Sequence, residues 1–222
     1  MSLLDQISVL ILTYNEAPNI ARTLAPLDRF SSIVVVDSGS TDETLEIARL
    51  HPGVRIEYRP FDAHADQWNF GLSVCDPTKA WVLALDADYV LPRTLIDEIE
   101  RLAPDAHVSG YRVNFRYCVE GRPLRGSLYP SHVVLFRREN ARFEQDGHTQ
   151  RVVVDGAISH LVNLIDHDDR KPLPRWIASQ QEYAKLEADH LFDAPPGSLR
   201  PVDRLRRMGW PTPILVFFYT LI

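Results

Sequence analysis

The sequence predicts an α/β protein built on a mostly parallel sheet with helices on both faces. Three observations predict it. Apolar runs at residues 7–12, 33–36 and 81–85 have the length of strands and lack the polar alternation of a half-exposed sheet. Segments of helical spacing separate successive strands. Polar clusters follow three of the strands, at Thr13-Tyr14-Asn15-Glu16, at Asp37-Ser38-Gly39-Ser40-Thr41-Asp42 and at Asp86-Ala87-Asp88. In a parallel sheet these ends share one edge, where open α/β sheets bind ligands.

The elements follow in order. The strand at 7–12 leads through a polar turn to a helix at 18–27, with Ile20, Leu24 and Leu27 on one face. A second strand at 33–36 precedes a helix capped by Ser40 or Thr41 and running to about Leu50. A third strand spans residues 54–58, a helix 65–75, the fourth strand 81–85, and a helix from Pro92 to about Leu102. After residue 105 the pattern changes: 109–119 and 132–137 alternate apolar and polar residues, as antiparallel or edge strands do. Helical spacing returns at 172–190, followed by a Pro/Gly loop at 194–201, then Arg200, Arg204, Arg206 and Arg207. Residues 214–222 are almost wholly apolar without a polar cap, and the chain is read as part of something longer.

Composition narrows the function classes. With 222 residues, 45% hydrophobic, the chain supports one substantial core, or a core with an appendage. A net charge of −6 argues against nucleic acid as a partner. Cys75 and Cys118 show no metal or redox spacing, which fits a reducing cytoplasmic compartment. The start, Met1-Ser2-Leu3-Leu4-Asp5, lacks the features of a signal peptide, and no run approaches the roughly 18 apolar residues of a membrane span.

Chemistry concentrates at the strand ends. Asp86 and Asp88 lie one residue apart and point the same way. Their mutual repulsion is relieved by a hard divalent cation, Mg2+ or Mn2+, which in turn neutralises a diphosphate. The turn Ser38-Gly39-Ser40 opens a helix and suits anionic or polar ligand atoms, and Asp37 suits a base or ribose. Each cluster alone also suits an ordinary turn, with Asn15 or Asp37 capping and Gly39 supplying positive φ.

The segments Leu10-Ile11-Leu12-Thr13-Tyr14-Asn15-Glu16, Ile33-Val34-Val35-Val36-Asp37-Ser38-Gly39-Ser40-Thr41-Asp42 and Leu85-Asp86-Ala87-Asp88 resemble the inverting glycosyltransferases of family 2. The likeness is clear over residues 6–100 and recognisable to about 190; the second segment is similar to that of bacterial enzymes building lipopolysaccharide core and exopolysaccharide. It implies the GT-A fold, a nucleotide-sugar donor, commonly a UDP-sugar, and a saccharide or lipid-linked acceptor. It also implies a nucleotide pocket formed by Thr13, Tyr14, Asn15, Glu16, Asp37, Ser38 and Gly39, with Gln67 and Asn69 nearby. Asp88, assisted by Asp86, meets the metal and diphosphate. Many relatives carry a basic residue where this chain has Trp68; His64 or Arg59 would have to compensate.

The second half must supply a base that takes the proton of the acceptor hydroxyl. Phe143-Glu144-Gln145-Asp146-Gly147-His148-Thr149-Gln150 is the candidate segment, with Asp146 favoured over Glu144 because Gly147 allows close approach. Asp146-Gly147 is equally a hairpin turn. In Ile165-Asp166-His167-Asp168-Asp169-Arg170-Lys171-Pro172, His167 matches by position the histidine that completes a GT-A metal site. Arg170 and Lys171 suit the leaving diphosphate. Trp176, Gln180, Gln181 and Tyr183 suit an acceptor pocket. This divides the chain into a nucleotide-sugar half at 1–105, an acceptor half at 106–171 and a C-terminal helical segment at 172–222. The basic and apolar character of that last segment predicts peripheral contact with the inner face of the cell membrane. Three rivals are a nucleotidyltransferase, a metal phosphohydrolase and a non-catalytic sugar-nucleotide-binding module. The first would carry a Gly-rich basic loop after the first strand, where Thr13-Tyr14-Asn15-Glu16-Ala17 has neither Gly nor Lys; the second is all-helical.

Overall fold

The computed structural model describes residues 2–126, 129–146, 149–195, 197, 199 and 201–221. A short 3-10 turn, Leu3–Gln6, opens the chain. Strand β1 (Ile7–Thr13), helix α1 (Ile20–Leu24), β2 (Ile33–Asp37), α2 (Thr44–Arg49), β3 (Val54–Tyr58), α3 (His64–Val74) and β4 (Trp81–Asp86) alternate as the sequence predicts. There follow β5 (Tyr89–Val90), α4 (Arg93–Arg101), β6 (Val108–Val113), β7 (Phe115–Val119), β8 (Arg122–Pro123) and β9 (His132–Arg137). The chain continues through β10 (Ala141–Asp146), β11 (Thr149–Val154), β12 (Ala157–His160), β13 (Ile165–His167), α5 (Leu173–Asp193), α6 (Pro201–Arg207) and α7 (Pro211–Leu221).

Seven strands form the central sheet in the order β12-β6-β9-β4-β1-β2-β3. The pairs β1–β2, β1–β4 and β2–β3 are parallel, and β9 runs antiparallel between β4 and β6. The uniformly apolar strands are explained by burial on both faces. Val9, Ile11, Val35, Leu83 and Leu85 pack with Ile20, Leu24, Leu95 and Ile99 of α1 and α4. The alternate residues, Leu10, Val34, Val36, Val82 and Ala84, pack with Ala65, Trp68 and Leu72 of α3. Helix α3 lies so close that a Cβ on Gly71 would stand 2.7 Å from the Leu10 methyls, so a larger residue there would force the Leu10 side chain to shift.

Three expectations are corrected. The strand at 109–119 breaks at Asn114, because β6 joins the central sheet while β7 joins a second sheet, β5-β13-β7-β8. The helix at 18–27 is α1 plus a 3-10 turn containing Pro26, whose ring denies the backbone an α-helical hydrogen bond. Helix α2 is capped neither by Ser40 nor by Thr41. Asp42 Oδ1 accepts from Thr44 N at 3.1 Å and from the Thr44 hydroxyl, while Ser40 and Thr41 are held by Asp37 and Asn15. Among the described residues no helix is long and apolar enough to cross a membrane.

Candidate active site

Parallel register aligns the strand ends: Thr13 stands beside Asp37, and Leu12 beside Asp86. Asp37 is buried, at 1% exposure. Its Oδ2 accepts from Gly39 N and Ser40 N, both at 2.8 Å, and its Oδ1 accepts from Thr13 Oγ1 at 3.1 Å and Ser40 Oγ at 2.5 Å. With both oxygens occupied, Asp37 shapes the turn from beneath. Gly39, at φ +102°, completes it, and a side chain there would be strained. Asn15 takes the left-handed region at φ +55°; its N–H donates to Ser40 Oγ at 2.8 Å and its Oδ1 accepts from Thr41 N at 2.7 Å. The loops after β1 and β2 are thus one hydrogen-bonded unit. Tyr14 stands on its rim, 53% exposed.

The chain then turns at Ala87, whose carbonyl accepts from Thr23 Oγ1 of α1 at 2.6 Å. Pairing of β5 with β13 sets His167 beside Tyr89, and Asp168 N donates to Asp88 O at 3.1 Å. This brings His167 Nε2 to 3.3 Å from Asp88 Oδ2. Asp88 Oδ1 and His167 Nδ1 are buried without a hydrogen-bond partner. Burial and the adjacent Asp88 charge push the Asp86 carboxyl up to about 6. Burial also works against the Asp88 charge, yet the hydrogen bond and charge of His167 hold it below the ordinary carboxylate value. His167 is held above its usual value, since Asp88 and Asp86 outweigh the cost of its burial.

Lys171 closes the other side. Its Nζ donates to Glu16 Oε1 at 2.7 Å and lies 3.5 Å from Asp169 Oδ2. Burial would lower its pKa, but the charges of Glu16 and Asp88 hold it above the ordinary lysine value. Burial raises the Glu16 carboxyl despite Lys171. Asn19 Nδ2 donates to both Glu16 Oε2 and Asp169 Oδ1 at 2.8 Å, and Arg175 of α5 donates to the carbonyls of Asn15 and Tyr14 at 2.9 and 3.1 Å. Arg170 is not drawn into this cluster: its guanidinium pairs with Asp168 and Glu120, each at 2.9 Å.

Gln67 is buried one layer down, donating to Ser38 Oγ at 2.9 Å and to Arg59 O at 3.0 Å. Asn69 is engaged by β10, exchanging hydrogen bonds with the backbone of Phe143 at 2.9 Å. Trp68 stacks on Phe143 at 5.1 Å between ring centres, so that position serves the core. Arg59 pairs with Asp62 at 2.6 Å, and His64 packs against the Phe61 ring. Asp146 ends β10 opposite Thr149 in the β10–β11 hairpin; its side chain, with Gly147 and His148, lies outside the described residues. Ala65 N donates to Gln145 Oε1 at 3.2 Å, which fastens the hairpin to the start of α3, at the same sheet edge as the loops above. Glu144 is engaged by Arg142 at 3.0 Å and Arg151 at 3.2 Å. Sequence reasoning missed Asn19, Arg175, Tyr89 and Tyr129. Tyr89, directly after Asp88, carried a signal in its position; Tyr129 carried none.

Among the described residues no three His, Cys, Asp or Glu side chains stand together as a complete metal cage. Asp88 and His167 do supply a carboxylate oxygen and an imidazole nitrogen without partners, with Asp86 adjoining. These are donor atoms of the kind a divalent cation takes, its remaining ligands coming from a diphosphate and water.

A parallel nucleotide-type sheet, one antiparallel strand inserted beside β4 and an acidic pair at the β4 end make up the architecture of a GT-A glycosyltransferase. Residues 1–349 of Staphylococcus aureus TarS, crystallised with UDP-GlcNAc, share it at a TM-score of 0.51 and 16% identity, covering 89% of this chain and 68% of that one. So does glucosyl-3-phosphoglycerate synthase from Mycobacterium tuberculosis in complex with phosphoglyceric acid, at 0.51 and 18%, covering 82% and 78%. The chain matches glycosyl transferase family 2 over residues 8–160 and belongs to that family. It is 38% identical over 100 residues to an uncharacterized glycosyltransferase of Rickettsia conorii, covering 45% of this chain and 34% of that protein. The chain thus spans about a third of that relative's length. It is 27% identical over 203 residues to the lipopolysaccharide core biosynthesis glycosyltransferase LpsC of Rhizobium meliloti, covering 85% and 72%.

Proposed function

We propose that this chain transfers a sugar, with inversion, from a UDP-sugar to a saccharide or lipid-linked saccharide acceptor in cell-surface polysaccharide synthesis. One observation carries the reading: Asp88 and His167 meet at the strand ends, with a carboxylate oxygen and a ring nitrogen left unpartnered, and Lys171 joins Glu16 of the loop after β1. The LpsC likeness supports the polysaccharide role, and the TarS complex supports the uridine donor.

Each residue has a part in the displacement. The loops formed by Thr13, Tyr14, Asn15, Ser38 and Gly39 receive the nucleotide. Asp88 and His167, with Asp86 adjoining, would hold Mn2+ or Mg2+, which supplies fixed positive charge to the departing diphosphate. Lys171, released from Glu16, adds its ammonium to the same phosphates. Asp146 takes the proton of the acceptor hydroxyl as that oxygen attacks the anomeric carbon and the bond to the diphosphate breaks.

Incubation with UDP-sugars or GDP-sugars and Mn2+, without acceptor, tests the reading. Slow release of UDP is expected. Binding without release would indicate a non-catalytic module, and pyrophosphate formation from UTP and a sugar phosphate would indicate a nucleotidyltransferase.

We also propose that the enzyme works at the inner face of the membrane. Helix α6 carries Arg204, Arg206 and Arg207, and Trp210, Ile214, Leu215, Phe217 and Phe218 beside and along α7 are exposed. Basic residues near an anionic surface contribute about 1 kcal/mol each. In a flotation assay the protein is expected to rise with vesicles containing anionic lipid and to be partly released by high salt. Equal flotation of a form ending at Pro201 would overturn this.

A further inference from the structure

Beneath the acidic pair lies a group of aromatic side chains that the transfer reaction has not used. Tyr89 is buried at 5% exposure, and its hydroxyl works against the rise that burial causes in the Asp86 carboxyl. The same hydroxyl oxygen lies 2.6 Å from Tyr129 Oη. The two hydroxyls share one hydrogen bond, and the pair stands beside Asp86. The rings reach the other acid. Tyr89, Tyr117 and Tyr129 pack edge-on around the His167 imidazole, with centres 5.3, 4.7 and 4.6 Å away, and His167 in turn meets Asp88. Phe115 braces this group from below, 4.9 Å from Tyr89 and 5.1 Å from Tyr129.

Two half-buried carboxylates this close repel each other, and without restraint each would turn toward solvent. The hydroxyl pair stands beside Asp86, and the ring cage fixes the plane of His167. We infer that Tyr89 and Tyr129 are positioning residues, which hold Asp86 and His167 in the orientation that a divalent cation and a diphosphate require. The inference rests on the proposed metal-assisted transfer. Tyr129 precedes β9, so one hydroxyl tether also links that connection to the end of β4.

Tyr89→Phe and Tyr129→Phe keep the rings and remove the hydroxyl pair. Mn2+ binding in the presence of UDP is measured from the spectrum of free Mn2+ by electron paramagnetic resonance, beside UDP binding without metal and the thermal midpoint of the metal-free protein. Affinity for Mn2+ is expected to fall about tenfold or more in Tyr89→Phe, the scale seen when groups orienting metal ligands are removed. Metal-free UDP binding should hold, and excess Mn2+ should restore turnover. Tyr129→Phe should show a smaller loss in the same direction. Unchanged Mn2+ affinity in both variants, or a lowered thermal midpoint with unchanged Mn2+ affinity, would overturn the inference. Wild-type protein that turns over UDP-sugar without binding Mn2+ would overturn it while sparing the transferase reading; wild-type protein that binds neither UDP nor UDP-sugar would overturn both.

Discussion

Asp88→Ala should abolish sugar transfer and donor hydrolysis while the protein still folds. The side chain gives the fold one contact, at 3.3 Å to His167, and its second oxygen has no partner. Its removal also ends the repulsion that raises Asp86, which should then titrate nearer the ordinary carboxylate range. What is lost is charge aimed at the departing diphosphate, and single fixed groups of that kind are worth about 100- to 1,000-fold in turnover. Chelation by EDTA should have the same effect on the native enzyme. UDP release and a thermal melt, run on both samples, check it. A normal rate after EDTA treatment would refute the metal-dependent reading.

Asp146→Asn should lower turnover by about 100-fold or more with little change in donor binding, because the amide keeps the shape of the side chain but cannot take a proton. Gln145 fastens this hairpin to α3, and Glu144 is already engaged by two arginines. Steady-state rates at saturating acceptor, with donor affinity measured separately, distinguish loss of the base from loss of binding. Near-native turnover in Asp146→Asn together with a crippled Glu144→Gln would move the role to Glu144.

The strands and the acidic pair were legible because their signals are local. Apolar runs such as Ile33-Val34-Val35-Val36 announce a strand covered on both faces, and Asp86-Ala87-Asp88 sits at the end of one. The break at Asn114 was not legible, since alternation continues through it and only tertiary pairing separates β6 from β7. The cap of α2 was misplaced because Ser40 and Thr41 are good capping residues whose groups Asp37 and Asn15 had already claimed. Arg170 and Lys171 look equivalent in sequence, yet Asp168 holds the first away and Glu16 draws the second in. Trp68 looked like a missing cation and is a core residue stacked on Phe143.

The stitching of α5 and the preceding residues to the loop after β1 bears on the order of events during synthesis. The parallel pairs β1–β2 and β2–β3 join neighbouring segments and β1–β4 sets Ile7 beside Trp81, whereas Asn19–Asp169, Lys171–Glu16 and Arg175–Tyr14 join groups 150, 155 and 161 residues apart. Contacts of such separation form late, because the chain entropy of closing the loop is spent before the bonds are gained. A nascent chain therefore reaches a stage at which the sheet is formed and Asn19 and Glu16 still await their partners. The proposed donor site is complete only when the last third of the chain arrives to lock it.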